Sequence, residues 1–168
     1  SYYYGPQLCF KDVNAKIKKG EKIAVLGLSG SGKSTFLKII ANLLCDYRGE
    51  IFFADTCREK PVYLDQETCI IDGTILENVA FGQKIDLKKL MKVAQITGLD
   101  KIVNQQPQGW STRISKGKNL SKGQEQRVCL ARCLLKESDI YLLDEATSNI
   151  DVLDEEVIIN NLFCEYED

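Results

Sequence analysis

Residues 27–35, Gly27-Leu28-Ser29-Gly30-Ser31-Gly32-Lys33-Ser34-Thr35, are where this chain could do chemistry. They fit the pattern G-x-x-x-x-G-K-[ST] at Gly27, Gly32, Lys33 and Ser34. Glycines carry no Cβ, so backbone N–H groups can curl around phosphate oxygens. The N-terminus of a following helix adds partial positive charge. Lys33 can reach the β- and γ-phosphates of a nucleotide, and the Ser34 hydroxyl can ligate Mg²⁺. At ordinary glycine usage the four fixed positions would match by accident in about one chain of this size in a hundred or fewer. A second feature is acidic. Ile140, Tyr141, Leu142 and Leu143 run into Asp144 and Glu145, which puts two carboxylates at the C-terminal edge of a core strand, where open α/β sheets bind ligands. Asp144 suits the Mg²⁺ shell, directly or through water. Glu145 suits orienting and deprotonating an attacking water. Acids that merely cap the next turn are the plain alternative, and a phosphate loop in the same chain weighs against it.

The loop needs a strand before it and a helix after it. Ile23 to Leu26 reads as a buried strand, and Phe36 to Leu44 has apolar positions that suit a helix. Cys9 to Ile17 reads as an early strand pair ending in the turn Lys18-Lys19-Gly20. Glu50 to Ala54 and Val62 to Asp65 read as short strands around a polar turn at Asp55–Lys60. Asp86 caps a helix with Leu87, Leu90, Met91 and Ala94 at i, i+3, i+4 and i+7, closed by Gly98. Asn104 to Asn119 is looser. Ser121-x-x-Gln124 is a capping box opening a helix through Val128, Ala131, Leu134 and Leu135. Asp139 to Asp144 then returns to a buried strand. Strand and helix signals alternate, the pattern of an α/β fold with a mainly parallel sheet and a helical insert.

At 168 residues the chain suits one domain with a real core, and 44% hydrophobic with 27% charged residues is ordinary globular composition. A net charge of −2 gives no global field for nucleic acid, and no nucleic-acid partner is expected. Seven cysteines include no C-x-x-C pair, and there is no histidine, which removes most zinc-site schemes. No structural metal is expected. Cys129 and Cys133, four apart in a helix, read as two buried thiols. The chain opens on Ser1, not Met, and reads as an excerpt.

Leu120-Ser121-Lys122-Gly123-Gln124 resembles the LSGGQ signature of ABC-type ATPases, and Glu125-Gln126-Arg127 continues it as that family does. Gln66, in Tyr63-Leu64-Asp65-Gln66-Glu67, is similar to the family's Q-loop. Gly73 to Asn78 resembles the GTIxEN stretch of exporter-type members, and Ser148-Asn149-Ile150-Asp151 resembles the D-loop. Tyr4 is similar in placement to the aromatic that stacks on adenine. The motifs run in family order over nearly the whole chain. The resemblance implies a P-loop NTPase: a RecA-like core over about residues 1–70 and 137–168, with an ABC helical subdomain over about 71–136 and the C-terminal part missing. It implies ATP and Mg²⁺ as cofactors, with Glu145, Lys33 and Gln66 catalytic and with Ser34, Gln66 and Asp144 at the metal. Nucleotide contacts fall to Tyr4, Gly27, Leu28, Ser29, Gly30, Ser31, Gly32, Lys33, Ser34 and Thr35, and to Ser121, Gly123, Gln124 and Asp151.

The family pairs two such domains head to tail, identical or not, so that the signature of one closes on the γ-phosphate held by the other. It also implies a transmembrane transporter partner at the cytoplasmic face of the cell membrane, coupled through Gln66 and an exposed GTILENV stretch. Two rival readings are a soluble ABC-type ATPase without a transporter and a nucleotide-sensing module without turnover. A long coiled-coil insertion or a basic groove would mark the first, and neither is visible. The departures are Lys122 in place of a glycine, a shortened Glu50–Gln66 region, and a Thr112–Asn119 loop without the glutamate often found in exporters. The family's switch histidine has no counterpart. With every earlier motif present this reads as truncation, and the fragment is expected to bind nucleotide better than it hydrolyses it.

Overall fold

The computed structural model describes residues 1–55, 57 and 59–165, so the turn expected at Asp55–Lys60 lies partly outside the described residues. In chain order the first elements are β1 (Tyr2–Tyr4), β2 (Gln7–Phe10), α1 (Lys33–Ile40), β3 (Val62–Leu64), β4 (Gly73–Thr74) and α2 (Ile75–Ala80). There follow α3 (Leu87–Thr97), α4 (Leu99–Gln105), a 3₁₀ turn at Gly109–Ser111, β5 (Arg113–Ile114), α5 (Lys122–Leu135), β6 (Tyr141–Leu143) and α6 (Val152–Glu165). The described residues separate into two compact units, one of residues 1–63 with 138–144 and one of residues 64–137 with 145–165.

In the first unit β1 and β2 form an antiparallel hairpin. The Tyr2 ring stacks on Phe10 at 6.1 Å, and Phe10 meets Phe36 of α1 edge-on at 6.0 Å. This corrects the strand pair expected at Cys9–Ile17. Of that range only Cys9 and Phe10 lie in a strand, β2, whose partner β1 comes earlier, and residues 11–17 form no strand. α1 begins three residues before Phe36 and stops at Ile40 rather than Leu44, with Asn42 already at φ 57°. β3 and β6 pair in parallel, and the Val62 N–H donates to the Ile140 carbonyl at 2.9 Å. Two expected strands do not form. Glu50–Ala54 is irregular. Ile23–Leu26 is irregular as well, with Leu26 90% exposed. A parallel strand is held by hydrogen bonds from neighbours and by covering helices, and among the described residues no strand pairs with either segment.

The second unit is built around α5, which is buried on nearly every side, with α2, α3 and α4 packed against it. α3 starts at its Asp86 cap and ends at Gly98, and Leu90 and Ala94 of the expected stripe face inward while Leu87 and Met91 do not. Leu90, Val93, Ala94 and Thr97 are buried, while Leu87 and Met91 are exposed. Both stripes have helical spacing. Burial against α5 and α6 selects the one that continues to the helix end. The looser 104–119 stretch is largely ordered: β5 pairs antiparallel with β4, Gly73 opposite Ile114 and Thr74 opposite Arg113. Among the described residues no helix is long and apolar enough to cross a membrane.

Candidate nucleotide site

In the first unit the glycine-rich segment turns into α1 through two left-handed residues, Gly30 at φ 76° and Gly32 at φ 92°. A side chain at position 32 would be strained twice over, because its Cβ would lie 2.5 Å from Cys9 Sγ. Gly32 is the N-cap of α1, and no side chain caps that helix. Its first-turn amides therefore suit an anion rather than a protein acceptor. Lys33 Nζ donates to the carbonyls of Gly27 and Leu28 at 2.9 and 3.0 Å, lying along the loop it belongs to. Ser34 is half-buried one residue on. Thr35 is buried and shares a 3.0 Å hydrogen bond with the Tyr4 hydroxyl, which fixes the Tyr4 phenol beside the end of the loop. Tyr4 keeps 55% of its surface exposed, whereas Tyr2 is buried in the aromatic cluster.

Asp144 follows β6 and is only 4% exposed. The Tyr63 hydroxyl donates to its Oδ2 at 2.8 Å, and Lys38 of α1 lies over the Tyr63 ring at 5.7 Å. Nothing in the residue pattern around Tyr63 signalled this phenol–carboxylate pair. A hard carboxylate and a serine hydroxyl are the donor types that Mg²⁺ accepts when phosphates complete its shell, so Asp144 and Ser34 fit the ion.

In the second unit Gln66 Nε2 donates to Glu145 Oε2 at 2.6 Å. Glu145 sits at φ 49°, a left-handed backbone unusual for a side-chain-bearing residue. The Ser121–Gln124 capping box is complete. The Gln124 N–H donates to Ser121 Oγ at 3.2 Å, and the Ser121 N–H to Gln124 Oε1 at 3.0 Å. Lys122, at the first helical position, is exposed and opposes the helix dipole, so local helix stability does not call for it. Gly123 has a local reason to be glycine. A Cβ there would lie 2.5 Å from the Asn149 carbonyl oxygen. Asp151 caps α6, accepting from the Asp154 N–H at 3.1 Å, and that bond holds its carboxyl below the ordinary carboxylate value.

Three successive buried polar residues were noted in the sequence only as a motif's continuation. Glu125 accepts from Thr68 Oγ1 at 3.0 Å and from the Gly117 N–H at 2.7 Å. Gln126 bonds the backbone of Glu145 and Asn149. Arg127 donates to the Thr97 carbonyl and pairs with Asp154. Their signal was legible in principle, as a polar triplet running directly into the apolar stretch 128–131 of the same helix. The GTILENV stretch is corrected. It was expected to be exposed, yet Ile75, Asn78 and Val79 are fully buried. Asn78 bonds the backbone of Ile71 and Thr74, and Arg132 donates to its carbonyl at 2.7 Å. What faces outward there is a groove lined by Ile71, Asp72, Glu77, Phe81 and Arg113. Cys129 and Cys133 are buried, and burial pushes the Cys133 thiol up to about 12. Among the described residues no three His, Cys, Asp or Glu side chains are grouped to hold a metal ion.

Residues 10–148 match the family model described as ABC transporter. The chain is 38% identical to the mesentericin transport/processing ATP-binding protein MesD of Leuconostoc mesenteroides, over 90% of this chain and 22% of that protein. It is 35% identical to a probable ABC transporter ATP-binding/permease protein of Haemophilus influenzae, over 96% of this chain and 31% of the relative. It is 34% identical to the transport/processing ATP-binding protein ComA of Streptococcus pneumoniae, over 97% and 24%. The chain thus spans between about a fifth and a third of the length of these curated relatives.

Proposed function

The chain belongs to the ABC transporter family, and from that premise we propose that it binds and hydrolyses ATP to drive export across a membrane. What carries the reading is the left-handed glycine turn leading into the uncapped N-terminus of α1, with Lys33 along it. Backbone amides of residues 27–35 solvate the phosphates, and Lys33 reaches the β- and γ-oxygens. Tyr4, already tied to Thr35 at the end of the loop, offers its exposed ring to adenine. Ser34, Asp144 and Gln66 would hold Mg²⁺, which would supply charge neutralisation at the γ-phosphate.

Glu145 is the general base, and Gln66, already bonded to its carboxylate, orients the water. The water oxygen bonds the γ-phosphorus while the bond to the β–γ bridging oxygen breaks. The proton goes to Glu145, and ADP leaves. A second copy or a related domain contributes Ser121, Gly123 and Gln124 to the γ-phosphate across a head-to-tail dimer, with Asp151 at the same junction. The groove beside Glu77 and Phe81 receives the membrane domain on the cytoplasmic face. The relatives' printed roles in transport and as permease support the exporter reading.

The test is nucleotide binding and turnover in the intact protein. Lys33→Ala is expected to weaken ATP binding at least tenfold, and unchanged affinity sinks the phosphate-loop assignment. Glu145→Gln is expected to keep ATP binding while turnover falls about 10²-fold or more, the usual range for losing a general base.

A further inference from the structure

Gln126 lies on the second turn of α5 and is 2% exposed. Its Nε2 donates to the Glu145 carbonyl at 2.7 Å and to Ser148 Oγ at 3.3 Å, and its Oε1 accepts from the Asn149 N–H at 2.8 Å. A carbonyl only accepts and an N–H only donates, so the amide has one workable orientation. Glu145 stands at φ 49°, a conformation that persists in a non-glycine residue only where its surroundings over-determine it. The turn itself contributes two backbone bonds, the Ser148 N–H on the Glu145 carbonyl at 3.1 Å and the Ile150 N–H on the Thr147 carbonyl at 2.9 Å. Gln126 adds side-chain bonds at both ends of the turn. Three residues earlier on the same helix, Gly123 is pressed so closely on Asn149 that a Cβ would stand 2.5 Å from its carbonyl oxygen. Helix α5 thus seats the 145–150 turn by a close backbone contact and by one buried amide.

We infer that Gln126 is a positioning residue for hydrolysis: it holds the Glu145 backbone in the left-handed conformation that aims the carboxylate at the attacking water. This rests on the reading of Glu145 as general base. A buried amide that only satisfies backbone groups would matter for folding and not for proton transfer, and the two roles separate in a double-mutant cycle.

Gln126→Ala and the similarly shaped Gln126→Met, which keeps the packing and loses the bonds, are placed in the intact protein with and without Glu145→Gln. ATP binding, steady-state turnover and thermal unfolding are measured for each. In the Glu145 background both variants are expected to lower kcat 10- to 100-fold with ATP affinity within threefold of the parent. In the Glu145→Gln background they are expected to change the residual turnover less than twofold, because there is no base left to misplace. A comparable fall in both backgrounds, or a fall in affinity matching the fall in kcat, overturns the inference in favour of a structural role. Unchanged kcat in the Glu145 background overturns it outright. If Glu145→Gln itself turns over at the parent rate, the general-base reading fails first and takes this one with it.

Discussion

Tyr63 and Asp144 are far apart in sequence, and their 2.8 Å bond joins a phenol to a carboxylate that is almost wholly buried. Burying a carboxylate strips its water, and a hydrogen bond to a charged group returns about 1.5–3 kcal/mol of that loss. It also fixes which way the oxygens point. Tyr63→Phe keeps the ring and removes only the donor. The expected result is roughly a tenfold loss of ATP affinity in the presence of Mg²⁺, from the lower end of that range, with affinity in EDTA unchanged. Calorimetric titration under both conditions decides it. An equal loss without Mg²⁺ would assign Tyr63 to the loop and not to the carboxylate proposed for the metal. Asp144 itself was legible, as an acid ending an apolar run. Its partner was not, because tyrosine in a strand is common and carries no sign of what it faces.

Helices were legible as elements wherever their ends were marked. The Asp86 cap, the Ser121–Gln124 box and Gly98 all stand where the sequence puts them, because caps are local chemistry written within four residues. Which face a helix buries is not local, and α3 turned to the stripe that α5 and α6 cover. Strands fared worse, since Ile23–Leu26 and Glu50–Ala54 have strand-like composition but no pairing neighbour among the described residues. Asp151 at the head of α6 gives an element-scale prediction with a definite sign. Its carboxyl titrates below the 3.8 of a free aspartate. The ionised cap therefore stabilises the fold fully above that value, and the stabilisation is lost as pH falls through the lower folded value. Asp151→Asn retains an acceptor without the charge. Urea unfolding from pH 6 down to pH 2 should show the parent losing stability relative to the variant as pH falls below about 4. Parallel curves would mean that Asp151 contributes no titrating stability.

At the scale of the whole molecule the proposed reaction needs a second domain, and the head of α5, where Ser121 and Lys122 are exposed, is the part proposed to meet that domain's nucleotide. Ser121→Arg places a bulky cation there. ATP binding by the monomer is expected to stay within threefold, while ATP-dependent dimerisation, followed by light scattering of the intact protein, is expected to disappear. Losing the cap costs about 1 kcal/mol, which circular dichroism will register separately. Loss of monomer binding would refute the cross-subunit role. The sequence alone determined the phosphate loop, the acidic pair, the signature cap and hence the family. Each is a short run whose chemistry depends on residues a few positions apart. Only tertiary structure decided that Gly123 must be glycine for Asn149, that Tyr63 serves Asp144, that Gln126 serves Glu145, and that the GTILENV face is mostly interior. These pairings join segments 19 or more residues apart along the chain, and the physical reason is packing: burial forces each polar group to find whatever partner the fold brings to it.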